Sequence, residues 1–508
     1  MGGAPVAASA PGHEPAAVKP KNPLMPFAII SIAYLLFTIT DGAVRMIVLL
    51  HAYNKGFTAM EVAVMFSLYE LAGVVTNIVA GMAGDRLGIR WTLNVGLTLQ
   101  VIGLGLLFGW QDDWDKTTAI VYVTLAQMMS GISKDLTKLG GKTVTKLVTP
   151  DDKQTRLFKL VSLITGWKNA LKGVGYFLGA ALLASSEEFG YFIALGVMIG
   201  FIFLALPWGF FGLDKNLGTA SKKPATLKQI LFNKNYNLNV LSLARCFLFA
   251  SRDLWFEVPL PFFLRDDVYG LGQRREVVGA FLAIYIIVYG QMQSYTPFLV
   301  IQPLGQEPPN KYAAALWAMG LIPITALLGY ASTFDPTFKE RDVLGMLGWS
   351  IACIAAFAII FAVNSSVHSY LVVRYAEGDK VATSVGFYYM SNAVGRLLGT
   401  LSSGALYSYV SDDKTLGFGA CMWASTAFCF VSGFIVYFCR DNANGLRCGP
   451  CMCVPPQVDS EGLNANDTAA ANAGATSSAD SAMGPTADGV EGGAAAAGEG
   501  QPPSASAV

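Results

Sequence analysis

The chain has 508 residues, of which 53% are hydrophobic and only 14% are charged. A soluble protein of this length carries more charge and fewer apolar runs of membrane-spanning length, so the composition indicates an integral membrane protein. The 35 basic and 35 acidic residues leave no formal net charge, and we expect no nucleic-acid partner. The histidines His13, His51 and His368 form no metal or nucleophile pattern, so we expect neither an enzyme nor a metal site.

Apolar runs long enough to cross a hydrocarbon core of about 30 Å predict about twelve transmembrane helices. A basic connection divides them six and six, which predicts an all-α membrane protein of two six-helix bundles embedded in the lipid bilayer. The excess of Lys and Arg in alternate connections places both termini in the cytoplasm. The predicted spans are residues 26–50, 59–83, 91–110, 118–141, 157–184, 189–212, 237–264, 277–301, 312–333, 344–370, 381–410 and 415–438.

Composition also predicts how the chain is divided into regions. Both ends are rich in small residues and poor in apolar runs, which is a signature of disorder. The predicted regions are a disordered cytoplasmic N-terminus (1–24), an N-terminal six-helix bundle (25–213), a basic cytoplasmic linker (214–236), a C-terminal six-helix bundle (237–439) and a low-complexity cytoplasmic tail with a cysteine cluster (440–508).

Four cysteines, Cys439, Cys448, Cys451 and Cys453, follow the last predicted span. Cysteines next to a membrane often accept palmitate, and a Cys-rich run can also bind soft metals. No histidine lies nearby and no second CxxC occurs, so lipidation or no role is the favoured interpretation.

The connection between the second and third spans reads GMAGDRLGIR, residues 81–90. Its Gly81, Asp85, Arg86, Gly88 and Arg90 match the loop pattern G-x-x-x-D-R-x-G-x-R, typical of the major facilitator superfamily. The glycines permit a tight turn, and Asp85 could cap a helix or pair with an arginine during conformational change. An ordinary basic turn is the alternative interpretation.

Lysines at mid-membrane depth are the most informative feature of the chain. Each one near the bilayer centre costs roughly 2.5–3.5 kcal/mol, and residues four apart share one helix face. This pattern predicts a water-filled cavity that binds a small anionic substrate. The two sets of lysines are Lys134, Lys138, Lys142 and Lys146 in the fourth span, and Lys168 and Lys172 in the fifth. Lys142 and Lys146 approach the cytoplasmic end, where snorkelling to the headgroups is expected.

Charged residues in other spans extend this pattern. Asp41 and Arg45 lie one turn apart in the first span, either as an internal ion pair or with Arg45 facing the substrate. The predicted substrate-binding residues are Arg45, Lys134, Lys138, Lys168, Asn169, Lys172, Arg245, Arg252 and Arg396. The predicted proton-coupling or charge-pairing residues are Asp41, Glu70, Asp135, Asp253 and Glu257. Glu70 has no cationic neighbour in the sequence, which makes it the first candidate for a proton site.

No cofactor or direct nucleotide use is expected. The segment GGKT at 140–143 lacks the first glycine of a phosphate-binding loop, since Leu136 stands at that position. The chain contains no other nucleotide-binding pattern, so any transport would be secondary or passive.

Five segments resemble the organoarsenical efflux permeases of the major facilitator superfamily. The segments are residues 37–51, 68–88, 130–152, 165–179 and 244–264. The sequence motifs that carry the resemblance are TDG-x-x-R, KD-x-x-K, K-N-A-L-K-G and R-D-x-W-F. The resemblance implies the major facilitator fold and proton-coupled antiport of 1-arseno-3-phosphoglycerate by alternating access. It also implies a functional link to glyceraldehyde-3-phosphate dehydrogenase, which forms this compound when it uses arsenate in place of phosphate. The cavity it implies contains Asp41, Arg45, Lys134, Asp135, Lys138, Lys168, Asn169, Lys172, Arg252 and Asp253.

Other functions remain open at this level. The same cavity could carry another phosphorylated or carboxylate metabolite, because Lys and Arg accept such anions almost as well. A membrane-bound sensor is less favoured, since neither terminus resembles a signalling domain. We expect a monomer in the plasma membrane.

Overall fold

The computed structural model describes residues 24–111, 113–148, 154–213, 235–375, 381–441 and 445–455. Six long helices lie before residue 213 and form the first half of the molecule. They are α1 (Leu24–Asn54), α2 (Ala59–Leu87), α3 (Ile89–Leu107), α4 (Lys116–Val148), α5 (Gln154–Ala184) and α6 (Gly190–Phe211).

The described residues of the second half also form six long helical segments, and three of them are interrupted. The helices are α7 (Tyr236–Phe256), α8 (Pro259–Arg265), α9 (Arg275–Thr296), α10 (Lys311–Met319), α11 (Ile322–Phe334), α12 (Pro336–Lys339), α13 (Val343–Arg374), α14 (Val381–Tyr409) and α15 (Lys414–Tyr437). α8 continues the path of α7, a π-helix (Pro297–Ile301) continues α9, and α11 follows α10. Each interruption has a proline in the first turn of the new segment, namely Pro259, Pro297 and Pro323, because proline lacks the amide hydrogen that a continuous helix requires.

These twelve segments coincide with the twelve predicted spans, and the predicted all-α fold is confirmed. Seven segments are long and apolar enough to cross a membrane by length and composition alone: 32–54, 59–77, 190–211, 275–301, 311–334, 343–374 and 414–437. The other five are α3, α4, α5, α7 and α14. Of these, α4, α5, α7 and α14 carry charged side chains in their middle turns, which lowers the apolarity of the segment.

Two helix pairs form the most extensive contacts between the halves. α5 packs along α9, and α2 packs along α14. The α5–α9 contact is so close that a Cβ atom added to Gly166 would lie 2.2 Å from the carbonyl oxygen of Gly290. Only glycine permits backbones to approach in this way.

The largest apolar core lies at one end of the bundle. It gathers the C-terminal part of α1 and the N-terminal parts of α2 and α6 with residues of the second half, as represented by Ile47, Met65, Tyr191, Phe263 and Phe418. Both halves therefore pack together at the end of the molecule where α1 finishes.

The first part of the tail predicted to begin at residue 440 contains a β-hairpin. Its antiparallel strands are β1 (Leu446–Cys448) and β2 (Cys451–Val454). Gln306 Nε2 donates a hydrogen bond to the Arg447 carbonyl oxygen at 2.9 Å, which attaches the hairpin to the segment after the π-helix. The clustered cysteines, two of them in exposed positions of the hairpin, are unpaired thiols. Residues 214–234 of the predicted linker lie outside the described residues.

Candidate functional site

A cavity of about 140 Å³ is lined by helices from both halves. Its charged lining consists of seven cations (Lys134, Lys138, Lys168, Lys172, Arg245, Arg252 and Arg396) and four carboxylates (Asp41, Glu70, Asp135 and Glu257). At full ionisation the lining therefore carries an excess of three positive charges. Low-dielectric walls strengthen the field inside such a cavity, so it attracts anions.

α4 contributes two lysines on one face. Lys134 Nζ lies 3.9 Å from Glu70 Oε2, which is a long ion-pair distance. Lys138 Nζ lies 3.6 Å from Asp135 Oδ1 and 4.1 Å from the ring centroid of Tyr389. Lys134 and Lys138 thus each have a carboxylate neighbour, but neither contact has hydrogen-bond geometry.

α5 contributes two more lysines, and they differ in their surroundings. Lys172 Nζ lies 3.6 Å from Asp41 Oδ2, and Asp41 also accepts a hydrogen bond from the Tyr69 hydroxyl. Lys168 faces the same cavity, but no carboxylate within the described residues lies at ion-pair distance from it. Within the described part of the chain, Lys168 is consequently a partly buried cation whose charge is not compensated by a neighbouring anion.

Arg45 and Arg396 bind the same two carboxylates. Arg45 pairs with Glu70 through a short hydrogen bond and with Glu257 at 2.7 Å. Arg396 Nη2 lies 3.0 Å from Glu70 Oε1 and 2.7 Å from Glu257 Oε1. Because Arg45 and Glu70 belong to the first half and Glu257 and Arg396 to the second, these contacts tie the halves together.

Asp253 extends the arrangement. Its Oδ1 accepts a hydrogen bond from Arg252 Nε at 2.7 Å, and its Oδ2 accepts one from Arg396 Nε at 2.9 Å. We call the six residues Arg45, Glu70, Arg252, Asp253, Glu257 and Arg396 the ion-pair cluster. Its three arginines and three carboxylates balance at full ionisation, so the positive excess of the cavity lies on the lysines and Arg245.

These contacts identify the partners of Arg45 and Glu70, which the sequence could not identify. Arg45 pairs with Glu70 and Glu257 rather than forming the internal pair with Asp41, and at 2% exposure it lies behind the cavity lining. Glu70 has no cationic neighbour in the sequence, but in the structure Arg45, Arg396 and Lys134 surround it, so the reason for ranking it as the first proton candidate no longer applies. The sequence missed these neighbours because they come from other helices.

Arg245 is the second cavity cation without a carboxylate partner among the described residues. Its Nε donates to Asn392 Oδ1 and its Nη1 donates to Ser365 Oγ, both at 3.2 Å. Its guanidinium carbon lies 3.9 Å from the ring centroid of Phe249. The side chain is thus held in place by neutral groups that leave its charge uncompensated.

A chain of neutral hydrogen bonds leads from α5 to Arg245. Asn169 Nδ2 donates to Gln293 Oε1 at 2.7 Å, and Gln293 Nε2 donates to Ser365 Oγ at 3.3 Å. Tyr289 also donates to Ser365, at 3.2 Å. Sequence reasoning did not single out Gln293 or Ser365; the available signal was the polar run NSSVHS (364–369) inside an apolar span.

The predicted loop motif lies at the junction of α2 and α3. Gly88 has a φ of 83° and forms the turn between the helices. Arg90 Nη2 donates to the Phe210 carbonyl oxygen at 2.5 Å, which links α3 to α6. Five other predicted residues lie within helices, but their side-chain surroundings are outside the described part of the structure: Gly81, Asp85, Arg86, Lys142 and Lys146.

The sequence model of the Major Facilitator Superfamily matches residues 30–367, which is more than half of the chain. The chain belongs to the Major Facilitator Superfamily. No curated protein matches this superfamily member in sequence.

Solved structures of superfamily transporters share its fold at low sequence identity. A bacterial homologue of the iron transporter ferroportin in an outward-facing state has a TM-score of 0.58 and 14% identity, and the match covers 81% of this chain and 98% of that chain. The human organic anion transporter MFSD10 (TETRAN) has a TM-score of 0.57 and 15% identity, with 82% and 100% covered. The nucleoside transporter NupG has a TM-score of 0.58 and 12% identity, with 82% and 99% covered. The chain is therefore a multi-pass membrane transporter rather than an enzyme.

Proposed function

We propose that this superfamily member is a secondary transporter of small organic anions that carry more than one negative charge. The observation that carries the proposal is that two cations of one cavity, Lys168 from the first half and Arg245 from the second, have no carboxylate partner among the described residues. An uncompensated lysine near the bilayer centre costs roughly 2.5–3.5 kcal/mol. A bound anion would offset that cost, whereas a neutral or cationic substrate would not.

The substrate we propose is 1-arseno-3-phosphoglycerate, exported across the plasma membrane. Support comes from the resemblance of segments such as 130–152 and 165–179 to organoarsenical efflux permeases. The compound has a phosphate at one end and an arsenate ester at the other, and both groups accept hydrogen bonds from Lys and Arg. Supply of this substrate would depend on a glyceraldehyde-3-phosphate dehydrogenase that accepts arsenate.

Another phosphorylated or carboxylate metabolite is the second candidate. The cavity offers ammonium and guanidinium groups that bind phosphate and carboxylate oxygens alike. The positive charge of the cavity supports both candidates equally, so the resemblance of the residues and the arsenate tolerance of a host distinguish them.

Alternating access would move the two halves relative to each other. The ion-pair cluster crosses between the halves, so its contacts between Arg45 and Glu257 would have to change when the cavity opens on that side. We assign proton coupling to Asp135, which replaces Glu70 as the first candidate. Neither of its buried carboxylate oxygens has a hydrogen-bond partner among the described residues, and Asp135 Oδ1 lies 3.6 Å from Lys138 Nζ.

Arsenate tolerance of a sensitive host tests the substrate. The host would express the chain with and without an arsenate-using glyceraldehyde-3-phosphate dehydrogenase, alongside Lys168→Gln and the exposed-site control Lys339→Gln. We expect tolerance that requires the dehydrogenase, is lost in Lys168→Gln and is kept in Lys339→Gln. Absence of protection by well-expressed protein in the correct membrane would reject the arsenical and leave another anionic metabolite.

A further inference from the structure

Three hydrogen-bond donors converge on one neutral oxygen at the side of the cavity formed by the second half. Arg245 Nη1 and the Tyr289 hydroxyl each lie 3.2 Å from Ser365 Oγ, and Gln293 Nε2 lies 3.3 Å from it. The donors come from α7 and α9, and the acceptor comes from α13. Arg245, Tyr289 and Ser365 line the cavity, whereas Gln293 lies fully buried behind them.

Ser365 cannot satisfy all three donors well. A hydroxyl oxygen has two acceptor lone pairs, and the three distances are at or beyond the long end of ordinary N–H···O and O–H···O bonds. The donors are therefore shared among too few acceptor sites. Buried donors in this condition gain from any additional acceptor that enters the cavity.

The donors are also fixed in direction. Gln293 Oε1 accepts a hydrogen bond from Asn169 Nδ2 at 2.7 Å, and this contact turns the amide nitrogen of Gln293 toward Ser365. Arg245 Nε is held by Asn392, and the guanidinium lies over the Phe249 ring. Donors that are positioned before the ligand arrives lose little freedom when it binds.

We propose that Arg245 and Tyr289 form a subsite for one terminal oxyanion of the cargo, with Gln293 as a positioning residue behind them. An ionised phosphate, arsenate or carboxylate oxygen forms shorter and stronger hydrogen bonds than a hydroxyl. Such an oxygen accepts hydrogen bonds from donors that otherwise share Ser365 Oγ. Its negative charge compensates the charge of Arg245. This inference rests on the proposed function, because it assumes that the cavity carries an anion.

The position of this subsite defines the class of cargo. Lys168 on α5 supplies the second uncompensated charge, and it belongs to the first half of the molecule. A cargo with an oxyanion at each end contacts Lys168 through one end and Arg245 through the other. Inorganic phosphate has a single charged centre and no second oxyanion for the other cation, so it binds more weakly.

Calorimetric titration of the purified full-length protein in lipid nanodiscs tests the subsite. The two ligands are 3-phosphoglycerate, with a carboxylate and a phosphate at opposite ends, and inorganic phosphate. The variants are Arg245→Gln, Arg245→Lys and Tyr289→Phe, with Arg274→Gln as an exposed arginine control. Tyr289→Phe removes one hydroxyl and keeps the ring, so it tests the subsite even where Arg245→Gln folds poorly.

We expect the wild-type protein and Arg274→Gln to bind 3-phosphoglycerate more tightly than phosphate. Tyr289→Phe should weaken 3-phosphoglycerate binding by about tenfold or more, the loss expected for one hydrogen bond to a charged group. Arg245→Gln should weaken it further and remove the preference for the two-ended ligand, and Arg245→Lys should restore part of the affinity. Wild-type affinity in both Arg245→Gln and Tyr289→Phe would overturn the subsite and leave the proposed function intact. A wild-type protein that binds neither ligand would overturn both.

Discussion

Arg45 in α1 and Glu257 at the end of α7 form a buried ion pair with Nη1 and Oε2 2.7 Å apart, although 212 residues separate them in sequence. Arg45 is 2% exposed and Glu257 is 5% exposed. The pair joins the first half of the molecule to the second, next to the cavity and within the ion-pair cluster. A buried pair of this kind constrains how the halves meet, because separating its partners exposes each charge to an apolar interior.

Arg45→Met should lower the thermal stability of the substrate-free protein. Removing one partner of a buried ion pair costs about 3–5 kcal/mol, and Glu70 would lose a partner at the same time. Differential scanning fluorimetry in detergent gives the shift in Tm. A double-mutant cycle with Glu257→Gln should show strong non-additivity, and additive shifts would contradict the direct coupling of the two residues.

Lys168→Gln should raise the Tm of the substrate-free protein while it abolishes anion binding. The substitution removes a partly buried charge that no carboxylate compensates among the described residues. Lys172→Gln is the matched comparison, because it removes a lysine of the same helix that pairs with Asp41 and should lower the Tm. A fall in Tm for Lys168→Gln as large as that for Lys172→Gln would contradict the assignment of Lys168 as the uncompensated cation.

Asp135→Asn should separate proton-driven transport from exchange. Asn cannot take up and release a proton, so accumulation driven by a pH gradient should be lost. Exchange of substrate for substrate needs no net proton movement and should continue. Uptake and counterflow in proteoliposomes measure the two activities. Proton-driven accumulation at the wild-type rate in Asp135→Asn would exclude Asp135 as the proton carrier.

Gly290→Ala should destabilise the contact between the halves. A Cβ atom at this position would lie 2.5 Å from the Ala170 nitrogen and 2.5 Å from the Gly166 carbonyl oxygen, so α5 and α9 would have to separate. Gly196→Ala in α6 is the control, because nothing lies within 4 Å of its added Cβ. The control should keep or raise the Tm, since alanine favours helix by about 1 kcal/mol over glycine. Equal Tm values for the two variants would contradict the close packing.

The membrane spans and most of the cavity cations could be predicted from the sequence, because the thickness and apolarity of the bilayer constrain both. Apolar runs have a length set by membrane thickness, and lysines within those runs are costly enough to be conspicuous. Lys134, Lys138, Lys168 and Lys172 were found by spacing alone, and the structure brings them to one cavity.

Ion-pair partners could not be predicted, because the contacts that matter join residues far apart in sequence. Glu70 has no basic neighbour along α2, yet Arg396 of α14 lies 3.0 Å from it. Neutral positioning residues were missed for a related reason. Ser365 and Gln293 are ordinary polar residues, and their role depends on donors that arrive from three helices.

The most direct test of the proposed transport measures the accumulation of arsenic in everted membrane vesicles. Vesicles containing the wild-type chain, Lys168→Gln or Lys339→Gln receive radioactive arsenate, glyceraldehyde-3-phosphate, NAD and purified glyceraldehyde-3-phosphate dehydrogenase. We expect vesicles with the wild-type chain or Lys339→Gln to accumulate arsenic only when the dehydrogenase and its substrates are all present. Lys168→Gln vesicles should accumulate none. Wild-type accumulation without the dehydrogenase, or equal accumulation with Lys168→Gln, would contradict transport of an organoarsenical anion through the lysine-lined cavity.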